Sequence, residues 1–399
     1  MNNIPRVLFI SGSDPNWLWL SEAVGDKFML VRESGTFSEI AKRESMVSPN
    51  IALVDFSPQV GLDPVLIVKE LASLSPDLPV IALGNKSHND TLVTALRAGV
   101  KDFVDLESSS GEVIKSMMDI AQRAPAPKDE RKGKAMVVLG ARQGAGVTTL
   151  AVNLAAALSN GQQDDTLLLD FGLPLSDGLI HLPCDDKQGA MDFVECVRSL
   201  KRFDASLAKT AFRRHPDTGV AILSLPRNLA DLREISASDG LKFVNLIKSF
   251  FENIVIDLCG FSNIDFVASL LRSADHTLLV APQNVPGVVT AAELIKALAD
   301  KGVKSDDFQL VVSPHQKEVA LSAGSIAEKL NIKKVHELPH RLLPLTNAVN
   351  DGTVLVKVDP RDAYSKAVIA LAKELGKQSS HEAAFGGSIA DKLKGLFKR

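Results

Sequence analysis

The chain has 399 residues, 45% of them hydrophobic and 23% charged, which suffices for two or three globular domains with well-supplied cores. A net charge of −3 excludes nucleic acid as a bulk electrostatic partner. The three cysteines, Cys184, Cys196 and Cys259, are odd in number and lack metal-ligand spacing. That points to a reduced, cytoplasmic protein. No run approaches the length of a membrane-spanning helix. Pro5, Arg6 and Asp14 around the first apolar run do not make a signal peptide.

Residues 1–121 alternate strands and helices. Apolar runs predict strands over 6–10, 28–32, 51–54 and 80–83, and helical spacing predicts helices over 17–24, 37–43, 65–74, 91–98 and 111–123. Continuous apolar strands separated by helices argue for a parallel sheet covered on both faces, a flavodoxin-like α/β unit. Trp17 and Trp19, two apart on one helix, cannot both face the core squarely.

Two stretches, Ile51-Ala52-Leu53-Val54-Asp55 and the run Ala95 to Val104, resemble a response-regulator receiver domain. The resemblance puts Asp55 at the phospho-acceptor position. The acidic pair expected after the first strand is instead Ser11-Gly12-Ser13-Asp14, the expected hydroxyl is Gly84, and the expected lysine is Leu106. Phosphoryl transfer to a carboxylate needs Mg²⁺ held by several acids and a cation for the product charge. Asp55 therefore reads as a turn-forming aspartate rather than a phosphorylated one, and the domain as a docking or dimerisation module.

Residues 122–134 are polar, charged and broken by Pro125 and Pro127, as a linker would be. From 135 to 376 a second α/β unit is predicted. Its strands cover 137–139, 166–170, 219–226, 253–257, 277–282, 308–312 and 334–338, again a doubly wound parallel sheet. Between its first strand and a helix over 150–158 lies Gly140-Ala141-Arg142-Gln143-Gly144-Ala145-Gly146-Val147-Thr148-Thr149. Strand, glycine turn and helix N-terminus form a phosphate cradle of backbone N–H groups. Thr148 offers a hydroxyl to Mg²⁺, and Asp257 ends an apolar strand where an acid would orient the metal's water shell, with Asp170 a further candidate. Pro282 to Pro286 fits either an adenine contact or a plain turn. His315, His336 and His340 are too scattered for a metal site.

This layout resembles the ParA/MinD family of deviant Walker-A ATPases over residues 135–376. Aligned with that family's K-G-G-x-G-K-[ST]-[ST], Arg142 takes the family-specific lysine, Gln143 a glycine and Val147 the common P-loop lysine. The family's D-x-D becomes Asp170-Phe171-Gly172. The resemblance implies bound ATP and Mg²⁺ on Arg142 to Thr149, Asp257 and Asp170, and a homodimer in which Arg142 reaches across to the partner's nucleotide. Losing the lysine and second acid removes charge neutralisation and water positioning, so hydrolysis is expected to be weak or absent.

A degenerate receiver followed by a defective ParA/MinD unit, with the phrases 219–227, 250–257 and 348–352, is similar to the CpaE/TadZ family of Flp (Tad) pilus assembly proteins. That resemblance implies a polar localisation scaffold partnered by pilus machinery or polar markers. The alternatives are a working ParA/MinD-type ATPase cycling on membrane or DNA, and a response regulator controlled through Asp55. Residues 377–388 read as a flexible linker. In 389–399, Ile389, Leu393, Leu396 and Phe397 share one helical face, flanked by Lys394, Lys398 and Arg399. This is the pattern of an interfacial helix drawn to anionic lipid, and it resembles the membrane-targeting tail of MinD.

Overall fold

The computed structural model describes residues 4–57, 63–87, 89–124, 133–159, 166–184 and 190–376. Most of the linker, 125–132, and the tail with its predicted membrane contacts lie outside the described residues.

The first unit is a five-stranded parallel sheet of β1 (Arg6–Ile10), β2 (Met29–Glu33), β3 (Ile51–Asp55), β4 (Val80–Gly84) and β5 (Asp102–Asp105). The order is β2-β1-β3-β4-β5, the flavodoxin-like order. Its helices are α1 (Asp14–Val24), α2 (Phe37–Val47), α3 (Pro64–Leu74), α4 (Asn89–Ala98) and α5 (Ser110–Arg123). Alternation along β1 sends Val7 and Phe9 to the core beneath α1 and α5, and Leu8 and Ile10 to the opposite face under α2 and α3. Trp17 is buried, with its ring stacked 6.1 Å from Phe9, while Trp19 is only partly buried. Ser13 caps α1, and capping boxes start α2 (Thr36 with Glu39) and α5 (Ser109 with Glu112).

The second unit has eight strands: β6 (Lys134–Gly140), β7 (Thr166–Asp170), β8 (Arg213–Arg214), β9 (Ala221–Ser224), β10 (Asn253–Asp257), β11 (His276–Ala281), β12 (Phe308–His315) and β13 (Lys334–Pro339). They run β13-β12-β11-β6-β10-β7-β9-β8. All pairs are parallel except β8 with β9, so the sheet is not wholly parallel as expected. The strand predicted over 219–226 shortens to Ala221–Ser224, with Gly219 turning at φ 72° to bring the β8 hairpin back. The chain leaves β6 toward β7 on one side, while β11, β12 and β13 build the other. The C-terminal end of β6 is thus a topological switch point, where α/β sheets open a crevice.

Two arginines join the units. Arg32, at the edge strand β2, donates to the Ser11 carbonyl and to Asp14 and reaches Asp204 at 3.3 Å. Asp204 also caps the helix Ala205–Thr210. Arg43 on α2 pairs with buried Glu33, donates to the Ser249 carbonyl and lies 4.8 Å over the Phe250 ring. Glu39 accepts from Lys209, which, together with the Thr36 contacts, holds its carboxyl down to about 2.

Candidate functional site

Gly140 ends β6, and α6 (Val147–Leu158) begins seven residues later. Gly144 (φ 77°) and Gly146 (φ 86°) take left-handed conformations that fold the turn back on itself. Gly146 is the N-cap residue and no side chain caps the helix, so its first-turn donors are left to the loop. Arg142 and Gln143 are exposed at the rim; the Gln143 amide leans toward Gly260 in the loop after β10. Among the described residues Arg142 makes no ion pair.

Val147, at the position of the common loop lysine, is 2% exposed and packs into the core with Leu150 and Ala151. A Cβ on Gly140 would come within 2.6 Å of its Cγ2, so Gly140 is fixed by this contact. Only the Val147 backbone can face an anion. The side chain belongs to the core.

β7 and β10 are paired so that Asp170 and Asp257 stand opposite one another, both fully buried. Burial first, and the Asp170 charge second, push the Asp257 carboxyl up to about 7; the Thr148 hydroxyl and the Cys259 amide act in the opposite sense. Its Oδ1 accepts the Cys259 N–H at 2.9 Å, while Oδ2 has no partner among the described residues. A buried, unpartnered carboxylate oxygen beside a hydroxyl suits a divalent cation, whose charge would favour the ionised form. Mg²⁺ therefore fits Asp257 and Thr148.

Asp170 is used differently. Its Oδ1 accepts from Gly172 N–H at 3.0 Å and its Oδ2 from Gly178 N–H at 2.7 Å, so it shapes the loop after β7. Burial raises its pKa, and those two amides counter the rise. Restoring the second acid would crowd this carboxylate, because a Cβ on Gly172 would stand 3.0 Å from Asp170 Oδ1 and the side chain would have to give by a few tenths of an ångström.

A cavity of about 390 Å³ opens beside Gly144, Gly146 and Thr149, within the size range of small-molecule sites. Its far wall includes Pro314, Arg341 and Asn350. Arg341 is fixed by Asp362, with Nε and Nη2 both 2.7 Å from one carboxylate oxygen. Apart from the stretch around Asn350, the sequence carried no signal for this wall. Pro282 to Pro286 is a cap: the Asn284 side chain accepts from Gly287 N–H at the start of the helix Val285–Ala299. His336 bonds Gln309, His340 bonds Gln316, and His315 lies 3.6 Å from Glu337.

In the first unit Asp55 is 2% exposed. Its Oδ2 accepts from Ser11 Oγ (2.6 Å) and Asn16 Nδ2 (2.8 Å), and its Oδ1 from Ser57 N–H (2.9 Å). These three donors are neutral, and Asp14 is taken by Arg32.

A left-handed glycine turn, an uncapped helix start and a strand-end acid at the switch point define a P-loop fold. Among solved structures it is the fold of the ParA and MinD ATPases. A ParA family ATPase from Chlorobium tepidum TLS is 18% identical over 60% of this chain and 98% of that one, with a TM-score of 0.53. The MinC:MinD cell division complex of Aquifex aeolicus gives 20% identity, 62% and 97% coverage, and a TM-score of 0.50. A pilus assembly-related protein from Burkholderia pseudomallei K96243 aligns over 31% of this chain and 95% of that one, at 21% identity and a TM-score of 0.28. No protein-family profile and no curated protein match the chain. No helix among the described residues is long and apolar enough to cross a membrane.

Proposed function

We propose that this chain is a nucleotide-clasping scaffold. Two copies hold Mg-ATP between their P-loop units with little or no hydrolysis. The dimer serves localisation and assembly of a Flp/Tad-type pilus at the cytoplasmic face of the inner membrane, in the manner of CpaE/TadZ proteins.

The observation that carries this reading is the burial of Val147 beside a retained glycine turn, Thr148 and Asp257. The turn, Thr148 and Asp257 keep the shape that binds phosphate and metal. What is missing is a cation aimed from the loop at the terminal phosphates. Removing one preorganised group that stabilises transition-state charge typically costs about 2.7–4 kcal/mol of barrier, roughly 10²–10³ in rate. Bound Mg²⁺ would neutralise part of the phosphate charge; the chain's own residues orient it through Thr148 and Asp257. Arg142, exposed and without an ion pair among the described residues, is suited to a partner's phosphate because its planar fork binds phosphate oxygens two at a time. The pilus role and the recruitment of the 389–399 helix to anionic lipid rest on the sequence resemblances.

Calorimetry with ATP and ADP in Mg²⁺, run beside a sizing measurement, tests the reading. ATP binding accompanied by a larger or tighter assembly than the nucleotide-free chain forms is the expected result. If neither nucleotide binds at about millimolar concentration, which means binding weaker than about −4 kcal/mol, the clasp is removed.

A further inference from the structure

We propose that the α3–α4 face of the first unit is an interface with a second copy of this chain, made by α4 packing antiparallel on its counterpart about a twofold axis. The face carries Leu66 and Leu74 on α3 and Val93 and Leu96 on α4, respectively 51%, 49%, 42% and 55% exposed. The two helices are neighbours on the same face of the sheet. Scattered exposed leucines need no explanation, but four on adjoining helices form a patch of the kind that marks contacts.

Charge selects the occupant. Asp90 lies in the first turn of α4 and Arg97 in the last. They share a stripe with Val93, at i, i+3 and i+7, and neither is in an ion pair among the described residues. Seven residues span about 10.5 Å of helix. Laid antiparallel on itself, α4 brings Asp90 of each copy to Arg97 of the other, with Val93 and Leu96 beside the axis. A parallel arrangement would oppose like charges at both ends. The stripe therefore complements itself in one orientation.

Position also favours pairing. The β2 edge and α2 are covered by the P-loop unit through Arg32, Arg43 and Lys209. α4 follows β4 and leads into β5, at the opposite edge of the sheet. Two first units can meet there while each P-loop unit keeps its nucleotide face open.

The contact does not depend on nucleotide, so it is tested on the full chain without nucleotide, where failure of the clasp has no bearing on the result. Sedimentation equilibrium compares wild type with Asp90→Arg, Arg97→Asp and the double exchange. The expected result is a wild-type dimer, weakened about tenfold or more by either single reversal and recovered by the double, because each reversal turns two attractions into repulsions. Both positions are exposed, and unchanged thermal melts show that the variants fold. As a second readout, Val93→Cys near the axis should cross-link under mild oxidation while wild type does not. A nucleotide-free monomer, single reversals without effect, a double exchange that fails to recover, or no cross-link would overturn the proposal.

Discussion

Replacing Arg43 with alanine should destabilise the protein by about 3 kcal/mol, because it strands a buried carboxylate at the junction of the two units. Arg43 Nε lies 3.1 Å from Glu33 Oε2, with the side chains only 7% and 3% exposed. Its Nη1 also satisfies the Ser249 carbonyl, and the guanidinium covers Phe250. Breaking a buried pair from one side typically costs about 3–5 kcal/mol. The low end applies here because the Ser34 and Gly35 amides still hold Glu33 Oε1. The nearby Lys42–Glu252 pair, 43% and 47% exposed, is an internal control. Solvent screens such a pair, and Lys42→Ala should cost less than about 1 kcal/mol. Replacing both charges of the buried pair, as in Arg43→Met with Glu33→Leu, should recover most of the loss. Urea denaturation at neutral pH reads wild type and all three variants. An Arg43→Ala loss no larger than that of Lys42→Ala would refute the buried-charge reasoning.

Gly172→Asp, which restores the missing family acid, should lower stability by about 1–3 kcal/mol and bring no ATP turnover, since the new side chain meets Asp170; turnover well above wild type would contradict this. The Asp257 carboxyl, raised to about 7 in the fold, keeps its proton where the unfolded chain has lost it. Its stabilising contribution is therefore greatest below the ordinary carboxylate range and is lost as pH rises to about 7. Without Mg²⁺, the stability difference between wild type and Asp257→Asn should move against wild type over that window, and a flat difference would contradict it. Burial lowers the pKa of His215, His276 and His336, giving the opposite slope, and the subtraction removes it. Incubation with acetyl phosphate should leave the intact mass unchanged, because Ser11, Asn16 and Ser57 occupy both Asp55 oxygens; an adduct at Asp55 would reopen the response-regulator reading.

The parts of the site readable from sequence were those with local signatures. An apolar run ending in glycine announces β6 and its turn, and acids closing apolar runs announce Asp170 and Asp257. Both sheets follow from the same alternation. What stayed hidden depends on contacts distant in sequence or on side-chain direction. That Val147 points into the core is decided by the room Gly140 leaves. That Asp170 serves its own loop depends on an amide eight residues on, at Gly178. The Arg341–Asp362 wall and the Arg32–Asp204 tie join segments with no shared periodicity. β8 is two residues long, too short for any pattern to register.

The central claim is that this P-loop holds ATP without cleaving it. The direct measurement is the identity of the nucleotide recovered from the dimer after prolonged incubation with radiolabelled ATP and Mg²⁺, released by denaturation and separated by chromatography. The account predicts intact ATP, with ADP no higher than in a protein-free control. Recovery as ADP, abolished by Asp257→Ala, would show that the site is a working ATPase.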